Sequence, residues 1–179
     1  MASEHNASGQ AQFLTFFLGE EAHAVSILRA REIIEYGEVT KLPNTPPSIR
    51  GVINLRGAVV PVVDLAMRFG RRAIQVTKRT CLIIVEVEVH GEQFAMGLMV
   101  DAVGQVIGLP PSDIEPPPCF GTGVRVDFLK GLGKVGKEFV LILDLDRALT
   151  EEELLSVADA PNLISSTEAV ENRLVPQDV

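Results

Sequence analysis

Covalent catalysis needs a base held beside a Ser, Cys or Thr. The chain offers three histidines for that role, His5, His23 and His90. They are widely separated, and no nucleophile motif surrounds any of them. They also lack metal-ligand spacing, and the two cysteines, Cys81 and Cys119, are too few for a Cys-rich zinc site or a disulfide framework. Both read as reduced thiols in a cytosolic protein. Paired carboxylates are the next resource, since one acid and one base can share a reaction. Asp64 and Asp144 occupy equivalent places, each before a short helical stretch. They read either as such a pair or as helix N-caps satisfying free backbone N–H groups. Glycines number 15, but no phosphate-cradling loop occurs, and Gly131-Leu132-Gly133 reads as a turning or bulged strand. No acid, base, nucleophile or metal set emerges, so the chain reads as a non-enzyme with no cofactor.

Other polar residues suit recognition better than turnover. Arg56 stands in the turn Asn54-Leu55-Arg56-Gly57. It is a solvated turn charge, or a planar fork offered to a carboxylate or to carbonyls. Glu32 lies among apolar neighbours in a strand-like run. If the two face each other, an ion pair forms at the edge of the fold. Arg68, Arg71, Arg72, Lys78 and Arg79 cluster in an otherwise acidic chain. They form a solvated loop or a docking patch for an acidic partner.

The elements that position these residues are mostly strands. The 179 residues are 46 % apolar, which excludes a disordered chain, and 5 % aromatic with no Trp. The net charge of −8 disfavours a broad nucleic-acid or anionic-membrane surface. That charge is uneven: residues 150–179 hold seven acidic residues and one basic residue, so residues 1–149 are nearly neutral. The polar start lacks an apolar signal region, and no run of about 18 apolar residues suggests a span.

Short Val-, Ile- and Phe-rich runs punctuated by Gly and Pro predict strands at 12–18, 22–26, 31–36, 52–55, 59–63, 81–89, 93–101, 103–109, 128–135 and 139–143. A helical turn is expected at 27–30. Pro61 marks its strand as an edge or as bulged. A short helix at 65–69 should stop at Gly70. Residues 110–123 read as loop. Thr150 and Glu153 form a capping box, so a C-terminal helix should begin there.

Residues 51–69 align over 131–149 without a gap at an offset of 80, with Gly51/Gly131, Val60/Val140, Asp64/Asp144 and Leu65/Leu145 identical. The shared order is Gly, strand, tight turn, apolar strand, Asp-Leu, short helix. A fainter echo relates the turns around Gly19 and Gly91. Duplication predicts a mainly β fold of two similar lobes of around five strands each, curled to hide their edges, with short helices and a C-terminal helix. The expected organisation is a flexible 1–11, one domain at 12–149 with lobes at about 12–70 and 80–149, and an acidic helix and tail at 150–179.

The run LPNTPPSIRGVINLRGAVVPVVDL at 42–65 resembles the core signature of CheW-like chemotaxis coupling proteins. Phe13 to Phe17 with Gly19-Glu20, Arg31-Glu32-Ile33-Ile34, Val100-Asp101-Ala102-Val103, Gly131-Leu132-Gly133 and Ile142-Leu143-Asp144 follow the family in order. The resemblance implies two similar five-stranded β-barrel (SH3-like) lobes, in agreement with the duplication, and a non-enzymatic adaptor. Such an adaptor couples the cytoplasmic tips of transmembrane, methyl-accepting chemoreceptors to a CheA-type histidine kinase, whose regulatory domain has the same fold. It also implies a cytoplasmic protein recruited to receptor arrays, with no membrane insertion and no nucleic-acid partner. Carried over by position, Ala30, Glu32, Ile33, Gly51, Asn54 and Arg56 border the receptor groove, a helix-in-groove site. The kinase-facing surface is left unassigned. Ala30 departs from the larger aliphatic residue common in the family, which takes a few carbons from the groove's apolar lining and weakens or retunes receptor contact. The chain carries no phosphoacceptor receiver, unlike the CheV type. The reading from a different class is a stand-alone β-barrel module for a small ligand or single-stranded nucleic acid, which the low aromatic content disfavours.

Overall fold

In the computed structural model, residues 9–117 and 126–149 are described. Eleven strands form two sheets. β1 (Ala11–Leu18), β2 (Glu21–Ser26), β8 (Ala102–Leu109), β9 (Ile114–Glu115), β10 (Leu129–Val135) and β11 (Glu138–Leu143) make the first, in the order β8-β1-β2-β11-β10-β9. β3 (Ala30–Glu35), β4 (Ile49–Leu55), β5 (Ala58–Asp64), β6 (Cys81–Val89) and β7 (Glu92–Val100) make the second, in the order β3-β6-β7-β5-β4. Two one-turn helices, α1 (Leu65–Arg68) and α2 (Leu145–Ala148), follow β5 and β11. The class is mainly β, as expected, with six and five strands rather than five and five. The ranges 12–70 and 80–149 divide the repeat but not the sheets: β1 and β2 lie with the C-terminal strands, while β6 and β7 lie with β3–β5.

The duplication is visible at the level of single hydrogen bonds. β4, β5 and α1 match β10, β11 and α2 at the offset of 80. In both hairpins the register shifts at one place, between Ile49 and Gly51 and between Leu129 and Gly131. Val62 and Ile142, again 80 apart, each take a parallel partner, Gly97 and Ala24. The Asp64 N–H donates to Ser48 O at 2.7 Å, and the Asp144 N–H to Phe128 O at 2.8 Å. Glycine is required at both bulges by close backbone approach. A Cβ on Gly51, whose φ is 143°, would lie 2.1 Å from Thr40 O; on Gly131 it would lie 2.7 Å from Glu115 O.

One core cluster spans the two sheets. It joins Leu14, Phe16, Leu18 and Val25 of the first to Val60, Val62, Ile83, Ile84 and Leu98 of the second, with Leu65 and Phe69 beneath. A smaller one, around Phe13, Ala24, Leu109, Val140 and Ile142, belongs to the first sheet. β1 therefore buries both faces from Phe13 to Phe16, which explains why its apolar run is broken only by Thr15, whose hydroxyl donates to Gln105 O at 2.7 Å.

Three expectations need correction. Residues 27–29 form a non-helical turn closed by the Arg29 N–H on Ser26 O at 3.0 Å, because β3 starts at once with Ala30. β5 is interior, not an edge, and the extra residue of its hairpin lies on β4. Pro61 is tolerated because the ladder to β7 begins one residue later, at Val62. The 110–123 loop contains a 3-10 turn, Pro111–Asp113, and the short strand β9, which covers the free edge of β10. The helix expected from Thr150 lies outside the described residues.

Candidate functional site

Arg56 and Glu32 form the centre of the candidate site. The β4–β5 hairpin turns through Arg56 and Gly57, whose φ values of 52° and 86° give the left-handed pair that matches strand twist. The Asn54 side-chain oxygen accepts from the Gly57 N–H at 2.8 Å and fixes the turn. Non-glycine residues enter that region at a cost. The equivalent position in the second repeat is Gly136, with φ 62°, so the fold accepts glycine there.

The Arg56 side chain crosses to β3. Arg56 Nη1 bonds Glu32 Oε1 at 2.7 Å and Nη2 bonds Oε2 at 2.8 Å, a two-toothed pair in which Arg56 is exposed and Glu32 half-buried. The hydrogen bond from Arg56 holds the Glu32 carboxyl below its ordinary range, and the same bond raises the Arg56 guanidinium. Both residues rim an open depression of about 390 Å³ floored by Val60, Ile84 and Ala95. The floor supplies apolar contact, while the rim supplies a fixed charge pair.

The other residues carried over from the family pattern are placed unequally. Ala30 is half-buried against the core at the start of β3. Ile33 is 44 % exposed but alternates to the opposite face from Glu32. Gly51 is buried beneath Thr40, so its part is to let two backbones meet. Asn54 acts on the turn. The structure thus gathers Glu32, Arg56 and Asn54 and leaves Ile33 and Gly51 away from the rim. Sequence reasoning missed the floor residues, whose apolar alternation looks like any strand. It also missed two ion pairs beside β3: Arg31 Nη1 to Glu86 Oε1 at 2.9 Å, and Arg29 Nη2 to Asp146 Oδ1 at 2.9 Å.

Residues weighed for chemistry are committed elsewhere. Asp64 is fully buried and caps α1, its carboxylate accepting from the Met67 N–H at 3.1 Å and the Ile74 N–H at 2.9 Å. Asp144 caps α2, accepting from the Asp146 N–H at 3.1 Å. The N-cap reading therefore holds for both. His23 is buried between the rings of Phe16 and Phe69, with centroids 5.6 and 6.0 Å away. Burial, with the Arg71 charge nearby, lowers its pKa to about 4. His90 is the exposed first residue of the β6–β7 turn. Cys81 is half-buried, its thiol pushed up by burial and then by Glu35; His5 and Cys119 lie outside the described residues. The basic cluster divides: Arg68 stacks over Phe128 at 4.5 Å, Arg71 pairs with Glu21, and Arg72, Lys78 and Arg79 are exposed. Among the described residues no group of three potential metal ligands occurs, and no helix is long and apolar enough to cross a membrane.

Three comparisons bear on this arrangement. Residues 12–153 match the family model of the CheW-like domain. The chain is 35 % identical over 146 residues to the chemotaxis protein CheW of Klebsiella aerogenes, covering 82 % of this chain and 86 % of that one. It is 32 % identical over 152 residues to the chemotaxis protein CheW of Rhizobium meliloti, covering 85 % and 96 %. The crystal structure of the scaffolding protein TtCheW from Thermoanaerobacter tengcongensis superposes with a TM-score of 0.71 at 35 % identity, covering 80 % of this chain and 95 % of that one. With its doubled hairpin, its two sheets and the Arg56 turn all inside the matched range, the chain belongs to the CheW-like domain family.

Proposed function

We propose that this protein is a chemotaxis adaptor without turnover, coupling transmembrane chemoreceptors to a CheA-type histidine kinase. The observation that carries the reading is Arg56. It occupies a backbone conformation that the second repeat gives to Gly136, and its guanidinium is held at the rim of an apolar-floored depression. An adaptor needs such a rigid, partly apolar recognition surface and no reacting group. The relatives named chemotaxis protein or scaffolding protein support the role. Ala30, Glu32, Ile33, Gly51, Asn54 and Arg56 are its receptor-side positions: Glu32 and Arg56 by contact, Asn54 and Gly51 by fixing the backbone that presents them. The protein works in the cytoplasm, recruited to membrane-associated receptor arrays.

The test is reconstitution. The full chain should be retained by the immobilised regulatory domain of its cognate kinase, and should raise kinase autophosphorylation in the presence of receptor-containing membranes. Folded protein that does neither overturns the reading. Saturable low-salt binding of a small ligand or of single-stranded nucleic acid in that case would favour the alternative module.

A further inference from the structure

We infer that Arg29 is a positioning residue for the candidate receptor surface, holding the Glu32 end of β3 by tying it to α2 of the other sheet. The inference rests on the reading of that surface as receptor-binding. Arg29 ends the turn by which the chain passes from β2 in the first sheet to β3 in the second. Its guanidinium makes four hydrogen bonds in two directions. Nη2 and Nη1 donate to Asp146 Oδ1 and Oδ2 of α2, at 2.9 and 3.2 Å. Nη2 and Nε donate to the Glu86 carbonyl of β6, at 3.0 and 3.3 Å. The Glu86 N–H returns a bond to the Arg29 carbonyl at 3.4 Å.

What these bonds support is a weak point in the sheet. Between Ala30 and Glu32, β3 carries one residue more than β6, so Arg31 is the extra residue of a bulge. A bulge interrupts the ladder and re-aims the residues that follow it. Glu32 is the first residue after it, and among the described residues β3 is an edge strand with no second neighbour. Arg29 holds the Glu86 backbone, and Arg31 holds the Glu86 carboxylate at 2.9 Å. Both residues flanking the start of the bulge are thereby fixed to one residue of β6. Asp146 supplies the external anchor, its carboxyl held below the ordinary range first by the Arg29 hydrogen bond. Exposed ion pairs add little to global stability, but a planar fork with two fixed acceptors sets direction. Cutting this one should leave the fold in place and loosen β3.

The experiment compares Asp146→Asn, Asp146→Glu and Arg29→Lys in the full chain. Three readouts are taken: denaturation midpoint, amide hydrogen exchange across β3, and binding to a receptor cytoplasmic-tip fragment. Asp146→Asn and Arg29→Lys should speed β3 exchange and weaken fragment binding, each by about tenfold, with little change in midpoint. Asp146→Glu, which keeps the carboxylate, should restore both. Unchanged β3 exchange in Asp146→Asn overturns the inference, as does faster exchange with unaltered fragment binding, or a loss that Asp146→Glu does not repair. Wild-type protein that binds no fragment overturns the functional reading instead, and the exchange measurements then still decide whether Arg29 holds β3.

Discussion

Glu32 and Arg56 join the two ends of one sheet. Glu32 is on β3, first in the order β3-β6-β7-β5-β4, and Arg56 is in the turn of the hairpin that ends it. Strands spaced about 4.8 Å apart would separate β3 from β4 by roughly 19 Å in a flat sheet. Bonds of 2.7 and 2.8 Å between them require the sheet to curl.

If the proposed receptor surface is correct, substitutions in this pair should separate recognition from stability. Arg56→Gly keeps the left-handed turn and relieves its strain. The variant should be at least as resistant to denaturant as the wild type, yet lose receptor coupling by about tenfold or more. Arg56→Glu should lose coupling without unfolding, and combining it with Glu32→Arg should recover part of it. Wild-type coupling in Arg56→Gly would remove the side chain from the site.

The two capping aspartates should differ in consequence. Asp64→Ala removes a fully buried carboxylate, orphans the buried Ile74 N–H and the part-buried Met67 N–H, and should cost about 3 kcal/mol. Asp144→Ala removes one half-buried cap and should cost about 1 kcal/mol. Urea midpoints of the two variants measure the ratio; equal losses would contradict the burial difference.

Acid should weaken the fold through His23 before the carboxylates titrate. Its pKa is about 4 in the folded protein against 6.5 for the ordinary side chain, so the folded state binds fewer protons. Its contribution is whole above pH 6.5 and is lost as pH falls towards 4, about 3 kcal/mol in all. Glu21 and Arg71 are the charged groups beside it. Between pH 6.5 and 4.5 the stability of the wild type should fall, while that of His23→Leu stays level. Parallel curves would assign the acid sensitivity elsewhere.

Gly51 and Gly131 rank by the closeness of the backbone above them. Gly51→Ala, facing 2.1 Å to a carbonyl oxygen and a positive φ, should cost roughly 3 kcal/mol. Gly131→Ala, facing 2.7 Å, should cost less, and chemical denaturation of both gives the order.

Local chemistry made much of this readable from residues alone. Gly57 and Gly91 marked hairpins, Asp64 and Asp144 marked helix starts, and the 80-residue echo located a hairpin that recurs down to its bulge. The Glu32–Arg56 contact was legible as a possibility, because a turn arginine and a strand glutamate are natural partners. Long-range placement was not. Pro61 looked like an edge signal because a single sequence does not show where a neighbouring ladder begins. Ile33 follows Glu32 directly in the motif, and that adjacency does not show that the two side chains alternate to opposite faces. The Arg29 fork was invisible because its acceptors, Asp146 and a main-chain carbonyl on β6, have no local signature.

The exchange of hairpins between the repeats bears on how the protein is made. β1 and β2 leave the ribosome before the other strands they pair with, and β2 must wait for β11, more than a hundred residues later, to fill its open side. At roughly 5–20 residues per second that delay is several seconds, during which an isolated hairpin is marginal. The first sheet cannot be cut out as a continuous piece of chain, and a cut near residue 75 divides the second between β5 and β6. Separately expressed halves split near residue 75 should stay unfolded alone and regain structure only on mixing. What duplication supplied as two copies, the swap of strands has turned into a single cooperative unit.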